Sequence, residues 1–206
     1  MPLVCIVDDD ASARLALGAV IERAGHYVAA FSSGEALLSA RSAENAACVL
    51  ADTRLPGISG LNLLCRLKAG GLNVPVILVS RFGGVPQAVE AMKCGAFDFI
   101  EKPAGAEAVL AVVERAVANK PAPPVADAAI DMQEVTTRFQ GLTPRERDLF
   151  HHLMTGLTNK VIAQELQISP RTVELHRSHL MRKMAANSVP HLVRMAISAG
   201  IVDPQN

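Results

Sequence analysis

The chain has 206 residues, 50% of them hydrophobic and 19% charged, and its 20 Lys and Arg residues balance 20 Asp and Glu residues. This length corresponds to one large or two small domains, and the composition excludes a disordered chain and a uniformly basic surface. Residues 1–118 carry 10 basic and 12 acidic side chains, whereas residues 141–206 carry 8 basic and 5 acidic side chains and five of the six histidines. The second region is therefore the better candidate for binding a polyanion.

Short apolar runs alternate with helix-period segments through residues 1–118. The runs predict five strands, at Leu3–Val7, Tyr27–Phe31, Cys48–Ala51, Val76–Val79 and Phe97–Glu101. The other segments predict five helices, at Ser12–Ala24, Ser33–Ala40, Gly60–Lys68, Pro86–Cys94 and Gly105–Ala118. This alternation predicts an α/β domain with a parallel sheet covered on both faces. Ligands of such sheets bind at the carboxyl ends of the strands.

A proline-rich segment follows the first domain. Pro121, Pro123 and Pro124 disfavour a continuous helix, so residues 119–140 are predicted to be a linker that contains a short helix over 128–139.

Residues 141–206 show only helical periodicity and predict a separate all-α domain of four helices. The first begins at the capping box Thr143–Glu146, and the second covers 159–166 with Thr158 as its cap. The third follows the N-cap Ser169, and the fourth runs from Ser188 to Ala199 and ends at Gly200. Two short helices joined by a tight turn in a small basic bundle predict a helix-turn-helix.

Neither the cysteines nor the apolar runs indicate secretion or a membrane. Cys5, Cys48, Cys65 and Cys94 form no CxxC pair and lie in apolar segments, which predicts buried thiols in a reducing compartment. Three aspartates follow after only seven residues, which argues against a signal peptide, and no apolar run approaches the ~18–20 residues of a membrane span. We expect a soluble, cytoplasmic protein with no membrane partner.

Five polar residues stand at the ends of predicted strands and would surround one cleft: Asp8, Asp9, Asp52, Ser80 and Lys102. Crowded carboxylates repel one another, and a hard cation such as Mg²⁺ relieves that repulsion. Lys102 supplies a positive charge for an oxyanion and Ser80 a hydroxyl donor. An ionised Asp52 could attack a phosphoryl group and form an acyl phosphate. The next aspartate, at position 10, is expected to cap a helix instead.

The third helix of the second domain has two different faces. Val173, Leu180 and Met184 form its predicted core stripe. The opposite face and its flanks suit phosphate contact and base readout, although Lys160 and Arg177 could be ordinary surface charges. The candidate DNA contacts are Lys160, Arg171, Thr172, Glu174, Leu175, Arg177, Ser178 and Arg182.

Residues 1–118 resemble the receiver domain of two-component response regulators. Four motifs carry the resemblance: Val7–Asp10, Asp52–Gly60, Leu78–Ser80 and Glu101–Pro103. It implies a flavodoxin-like fold with strand order 2-1-3-4-5 and phosphorylation of Asp52 by a sensor histidine kinase. It also implies Mg²⁺ or Mn²⁺ on Asp9, Asp52 and the Arg54 carbonyl, with Asp8 acting through water. Lys102 would contact the phosphoryl group, and Ser80 and Phe99 would form the switch pair.

Further motifs are similar to the FixJ-like subset, at Gly83–Pro86, Ala88–Met92 and Phe97–Pro103. This similarity implies a homodimer on phosphorylation, with Val89, Met92 and Phe97 in its face. The sequence departs from the subset at Ser80, where Thr is usual, and at Arg81-Phe82, Gly84 and Ala104. These departures bear on the lifetime of the phosphoryl group and on its coupling to the dimer face.

Residues 141–201 resemble the LuxR/NarL/FixJ helix-turn-helix through Leu142–Glu146, Asn159–Ala163, Ile168–His176 and Lys183-Met184. The resemblance implies double-stranded promoter DNA as a partner, with RNA polymerase as a further candidate. It also implies dimerisation through the last helix, where Leu192 and Met195 are candidates and core packing is the equal alternative.

Together these features predict a transcription regulator controlled by phosphorylation. It is not expected to be an enzyme beyond its own phosphoryl transfer and dephosphorylation. Two alternatives remain. One is a regulator that keeps the acidic site as a relic, and the other is a metal-dependent phosphohydrolase. Against the second, Arg54 stands two positions after Asp52, where that chemistry needs an acid-base residue.

Overall fold

The computed structural model describes residues 1–81, 84–118 and 132–203. They divide into two compact units, the first holding residues 1–81 and 94–118 and the second holding residues 84–93 and 132–203. Most of the predicted linker lies outside the described residues.

The first unit contains a parallel sheet of five strands. They are β1 (Leu3–Val7), β2 (Tyr27–Phe31), β3 (Cys48–Asp52), β4 (Val76–Ser80) and β5 (Asp98–Glu101). The order β2-β1-β3-β4-β5 confirms the order expected from the resemblance. The register pairs Val7 with Ala51 and Asp52 with Val79, so the carboxyl ends of the central strands meet at one edge.

Among the described residues, four helices connect successive strands: α1 (Ala11–Arg23), α2 (Gly34–Ala40), α3 (Gly60–Ala69) and α4 (Val85–Lys93). A fifth, α5 (Ala106–Val117), follows β5. Residues from β1, β3, β4 and β5 pack with α1 and α5 in one cluster, made of Val4, Ile6, Ile21, Cys48, Leu50, Ile77, Val79, Ile100, Val109, Val113 and Ala116. Helix α4 differs from the expectation, because its contacts place it in the second unit.

The second unit is helical throughout its described residues. It comprises α4 together with α6 (Met132–Gln140), α7 (Pro144–Met154), α8 (Asn159–Glu165), α9 (Pro170–Lys183) and α10 (Val189–Ser198). Helices α7 and α8 pack against α9, while α4 and α6 pack against α10. The Phe139 and Phe150 rings, 4.9 Å apart and edge to face, join α6 to α7.

Thr158 is the N-cap of α8, as predicted, although its side chain makes no capping hydrogen bond.

The prediction of four buried cysteines is correct for two of them and wrong for Cys65, while Cys94 is half-buried. Cys5 and Cys48 are buried, and burial raises their thiol pKa values to about 11 and about 12. Cys65 is exposed instead, because it lies on the solvent face of α3, away from the buried leucines of that helix.

No helix among the described residues has the length and apolar character needed to span a membrane.

A buried carboxylate ties the two ends of the helix-turn-helix region together. Glu146 Oε2 accepts hydrogen bonds from the Thr143 backbone at 2.8 Å and from Lys183 Nζ, at the end of α9, at 2.6 Å. Burial by itself would raise the pKa of Glu146, but the hydrogen bonds from Lys183 and Thr143 outweigh it and lower the pKa to about 2. The ionised form therefore stabilises the junction of α7 and α9.

We expect the stabilisation from Glu146 to be complete above its ordinary pKa of 4.5 and to be lost as the pH falls toward about 2. Between these values the unfolded state binds more protons, so acid destabilises the fold. Glu146→Gln should lower the thermal midpoint of the second unit at pH 7, and the difference from wild type should shrink below pH 4.5. A difference that is constant from pH 7 to pH 3 would contradict this assignment.

Candidate functional site

Lys102 joins two buried carboxylates at the carboxyl edge of the sheet. Its Nζ donates to Asp8 Oδ2 and to Asp52 Oδ2, in both cases at 2.7 Å. Asp8 is 3% exposed and Asp52 6% exposed, so bulk water solvates neither side chain well. Burial by itself would lower the pKa of Lys102, but its hydrogen bonds to Asp52 and Asp8 outweigh burial and raise the pKa. The structure thus brings together three of the five residues predicted for this cleft.

Backbone groups hold Asp52 in place. The Arg54 N–H donates to Asp52 Oδ1 at 2.8 Å, which leaves Oδ2 for Lys102. Gly60, the first residue of α3, lies so close that a Cβ there would be 2.2 Å from the carbonyl oxygen of Asp52. The Gly60 N–H also donates to the Thr53 carbonyl at 3.1 Å, so the loop after β3 folds back onto the end of that strand. Only a residue without a side chain allows this approach.

Ser80 lies one strand away from Asp52 and is 1% exposed. Its Oγ accepts a hydrogen bond from Thr53 Oγ1 at 2.9 Å, which links the ends of β3 and β4. Phe99, its predicted switch partner, is 9% exposed on β5 and pairs in register with Leu78. Their roles as a switch stay a prediction.

Asp9 and Asp10 behave differently from each other. Asp9 is exposed. Asp10 is the N-cap of α1, as predicted, because its Oδ1 accepts from the N–H groups of Ser12 and Ala13. Its other oxygen accepts a hydrogen bond from Arg81 Nη2 at 2.7 Å. This last contact was not predicted.

The donor set fits Mg²⁺ through its two converging carboxylates. Mg²⁺ takes one or two carboxylates and completes its coordination with water and phosphate oxygens. Across the residues that the structure describes, no three Asp, Glu, His or Cys side chains are grouped to hold a metal by themselves. Asp8 and Asp52 are therefore the close pair, and Asp9 and the Arg54 carbonyl stay predicted ligands.

Helix α9 presents the predicted polar face to solvent. Val173, Leu180 and Met184 are fully buried, which confirms the core stripe. The exposed candidates are Lys160 on α8 and, on α9, Arg171, Glu174, Leu175, Ser178 and Arg182. Leu175 is 56% exposed on this face, so its side chain is accessible to a partner.

The two remaining candidate DNA contacts, Thr172 and Arg177, are half-buried and make local contacts. Thr172 is half-buried and its Oγ lies 2.8 Å from Ser169 Oγ. Arg177 is half-buried and donates to Asn159 Oδ1 at 3.3 Å, so it ties α9 to the start of α8.

The residues predicted for dimer faces are not on a free surface. Val89 and Met92 on α4, and Leu192 and Met195 on α10, are all buried within the second unit. Helix α4 packs against α10, and α10 also packs against α6. Phe97 precedes β5, half-buried against the core of the first unit.

Sequence reasoning does not identify three residues that contribute to this edge of the sheet: Thr53, Gly60 and Arg81. The first two lie inside the quoted motif Asp52–Gly60, so the motif itself was the available signal. Arg81 was singled out only as an unusual residue, and its partner lies 71 positions away in the chain.

Two family models match different regions of the chain. Residues 4–114 match the response regulator receiver domain. Residues 140–196 match the luxR family of bacterial regulatory proteins.

Relatives of known name match over nearly the whole chain. The transcriptional regulatory protein FixJ of Bradyrhizobium diazoefficiens is 41% identical over 200 residues, covering 97% of both chains. The protein of the same name from Rhizobium meliloti is 42% identical over 198 residues, covering 96% of both. Among solved structures, full-length FixJ from B. japonicum aligns over 98% of both chains with 40% identity and a TM-score of 0.54.

The close approach of Gly60 to Asp52 generates a test of the site. In Gly60→Ala the new Cβ would lie 2.2 Å from a backbone oxygen, so the loop after β3 must shift. We expect a loss of about 1–3 kcal/mol in stability, measured by urea denaturation, and displaced amide NMR resonances at Asp52 and Lys102. Gly105→Ala is the matched control, because nothing lies within 4 Å of its Cβ position. Equal behaviour of the two variants would contradict the role of Gly60.

Proposed function

Because the chain belongs to the FixJ-type two-component response regulators, which join a receiver domain to a LuxR-type DNA-binding domain, we propose that Asp52 accepts a phosphoryl group from a sensor histidine kinase. Phosphorylation then controls binding of the second domain to promoter DNA. The observation that carries this proposal is the contact of Lys102 with both Asp8 and Asp52 at 2.7 Å. The family is one of regulators rather than of catalytic enzymes, and it acts where chromosomal DNA lies, in the cytoplasm.

The chemistry begins at the carboxylate of Asp52. One of its oxygens attacks the phosphorus of a phosphohistidine, the P–O bond forms and the P–N bond breaks, and the released imidazole nitrogen takes a proton. The Arg54 N–H holds the carboxylate in orientation through Oδ1. Phosphorylation adds negative charge beside Lys102, whose ammonium would then contact a phosphoryl oxygen.

Ser80 and the proposed Mg²⁺ ligands would stabilise the phosphorylated form of Asp52. Ser80 accepts a hydrogen bond from Thr53, which strengthens its own O–H as a donor to a phosphoryl oxygen. Asp8, Asp9, Asp52 and the Arg54 carbonyl would hold Mg²⁺, which when bound neutralises charge on the phosphoryl oxygens. The chain would also return to its resting state by slow hydrolysis of the acyl phosphate.

DNA binding is assigned to α9. Its core stripe fixes the helix in the bundle, so Arg171, Leu175, Ser178 and Arg182 face outward together. Arginines at the two ends of an exposed face suit phosphates, and the central side chains suit base edges in a major groove. Arg177 contributes through its bond to Asn159 as well as through charge.

Dimerisation on phosphorylation completes the proposal. The apolar residues assigned to the dimer, Val89 and Met92 on α4 and Leu192 and Met195 on α10, are buried in the second unit of a single chain. A dimer through these faces therefore requires α4 and α10 to separate first. In this proposal, phosphorylation favours the separated state.

Phosphorylation of Asp52 can be tested with a small phosphodonor. Acetyl phosphate plus Mg²⁺ should place acid-labile phosphate on wild type and not on Asp52→Asn, because an amide is not a nucleophile. The same treatment should raise the molecular mass by light scattering and tighten promoter binding in wild type only. Label at the wild-type level in Asp52→Asn would contradict the assignment, and DNA affinity unchanged by the phosphodonor would favour a relic receiver.

Substitutions on α9 can distinguish residues that contact phosphates from residues that contact bases. Arg171→Ala should weaken binding to all DNA sequences alike and lower the salt slope of log K by about one unit. Combined alanine substitution at Glu174, Leu175 and Ser178 should instead change the preferred operator, at roughly 1–3 kcal/mol per good base contact. Site selection from random DNA measures both. Identical preferred sites for the triple variant and wild type would mean that another face enters the groove.

A further inference from the structure

We propose that the ion pair between Arg81 and Asp10 is a gate over the phosphoryl site that limits access to Asp52. The inference rests on the proposed function of Asp52 as the acceptor. Arg81 Nη2 donates to Asp10 Oδ2 at 2.7 Å. The pair joins the loops that follow two different strands of the first unit.

The position of the pair follows from the sheet order. Asp10 follows β1 and Arg81 follows β4, and β3 lies between these two strands. A contact between the two loops therefore crosses the carboxyl end of β3, where Asp52 stands. Asp10 raises the pKa of Arg81, and the charges of Asp8 and Asp52 act in the same direction, so the guanidinium lies within electrostatic range of the site.

One side of the gate is anchored and the other is free to swing. Asp10 Oδ1 accepts from the N–H groups of Ser12 and Ala13 at 2.9 and 3.3 Å, which fixes the carboxylate to the start of α1. The Arg81 side chain is 51% exposed. Opening the gate means breaking the partly exposed ion pair between Arg81 and Asp10, which costs little free energy. The long arginine side chain can move away without disturbing the sheet.

A gate acts equally on both reactions of Asp52. Phosphoryl transfer needs a donor to approach in line with a carboxylate oxygen. Hydrolysis needs water to attack the phosphorus, with cleavage of the P–O bond, return of the Asp52 carboxylate and release of dihydrogen phosphate. If both occur only in the open state, removing the pair raises both rates by one common factor. A direct contact of Arg81 with the phosphoryl group would instead slow the transfer when the arginine is removed.

The test compares Arg81→Ala and Asp10→Asn in the full chain with Mg²⁺. Asparagine is also a strong N-cap residue, so Asp10→Asn keeps the cap of α1 through its oxygen and replaces the acceptor that faces Arg81 with an uncharged NH2 donor. The two variants change the net charge in opposite directions, so a common acceleration cannot come from long-range electrostatics. Labelling by acetyl phosphate and loss of label after donor removal should each rise about fivefold, the rate equivalent of the ~1 kcal/mol of an exposed pair.

Two controls sharpen the result. Glu44→Gln removes the acidic partner of another exposed pair, with Arg41, and should leave both rates at wild type. The double variant of Arg81 and Asp10 should be no faster than either single variant, because the pair can be removed only once.

The outcomes are distinguishable. Label on wild type and variants at equal rates overturns the gate and leaves the proposed function intact. Slower labelling of Arg81→Ala together with faster hydrolysis also overturns it, in favour of a direct phosphoryl contact. Label that persists in Asp52→Asn, or no label on any protein, overturns the proposed function and the gate with it.

Discussion

The two hydrogen bonds from Lys102 to Asp8 and Asp52 are the interaction on which the site depends. Each buried carboxylate would be costly without a partner, and one ammonium serves both. The three groups come from the ends of β1, β3 and β5, so their contact links three strands at this edge of the sheet. Two negative charges and one positive charge leave the cluster with a net charge of −1, which a further cation can balance.

The second unit uses the same physical device for a structural purpose. Glu146 lies at the start of α7 and binds Lys183 at the end of α9, so a buried carboxylate again joins elements distant in sequence. Together with the buried stripe of α9, this pair fixes both the axis and the rotation of the helix. The residues opposite the stripe, such as Leu175, then have no route into the core. Their exposure follows from the packing of the helix rather than from their own polarity.

Local sequence patterns are sufficient to predict the strands and helices, but not how these elements pack against one another. The apolar runs and cap residues predicted all five strands and the helices of both units to within a few residues. The strand order came from resemblance, because no local pattern distinguishes one parallel order from another. Cys65 was placed wrongly since an apolar segment in a helix still has an outer face. The contact of Arg81 with Asp10 joins two loops whose conformation depends on the finished sheet.

Helix α4 shows the deepest reason why sequence alone falls short. Val89 and Met92 have the apolar character that a dimer face requires, and a position buried within one chain selects the same residues. The pattern therefore cannot tell whether α4 packs against α10 or against a second copy. In the structure it packs against α10, so on the proposed function one set of apolar residues serves two mutually exclusive partners. Shifting such an equilibrium from 1:99 to 99:1 takes about 5.5 kcal/mol. On the proposed function, that energy has to arise where the charge changes, at Asp52.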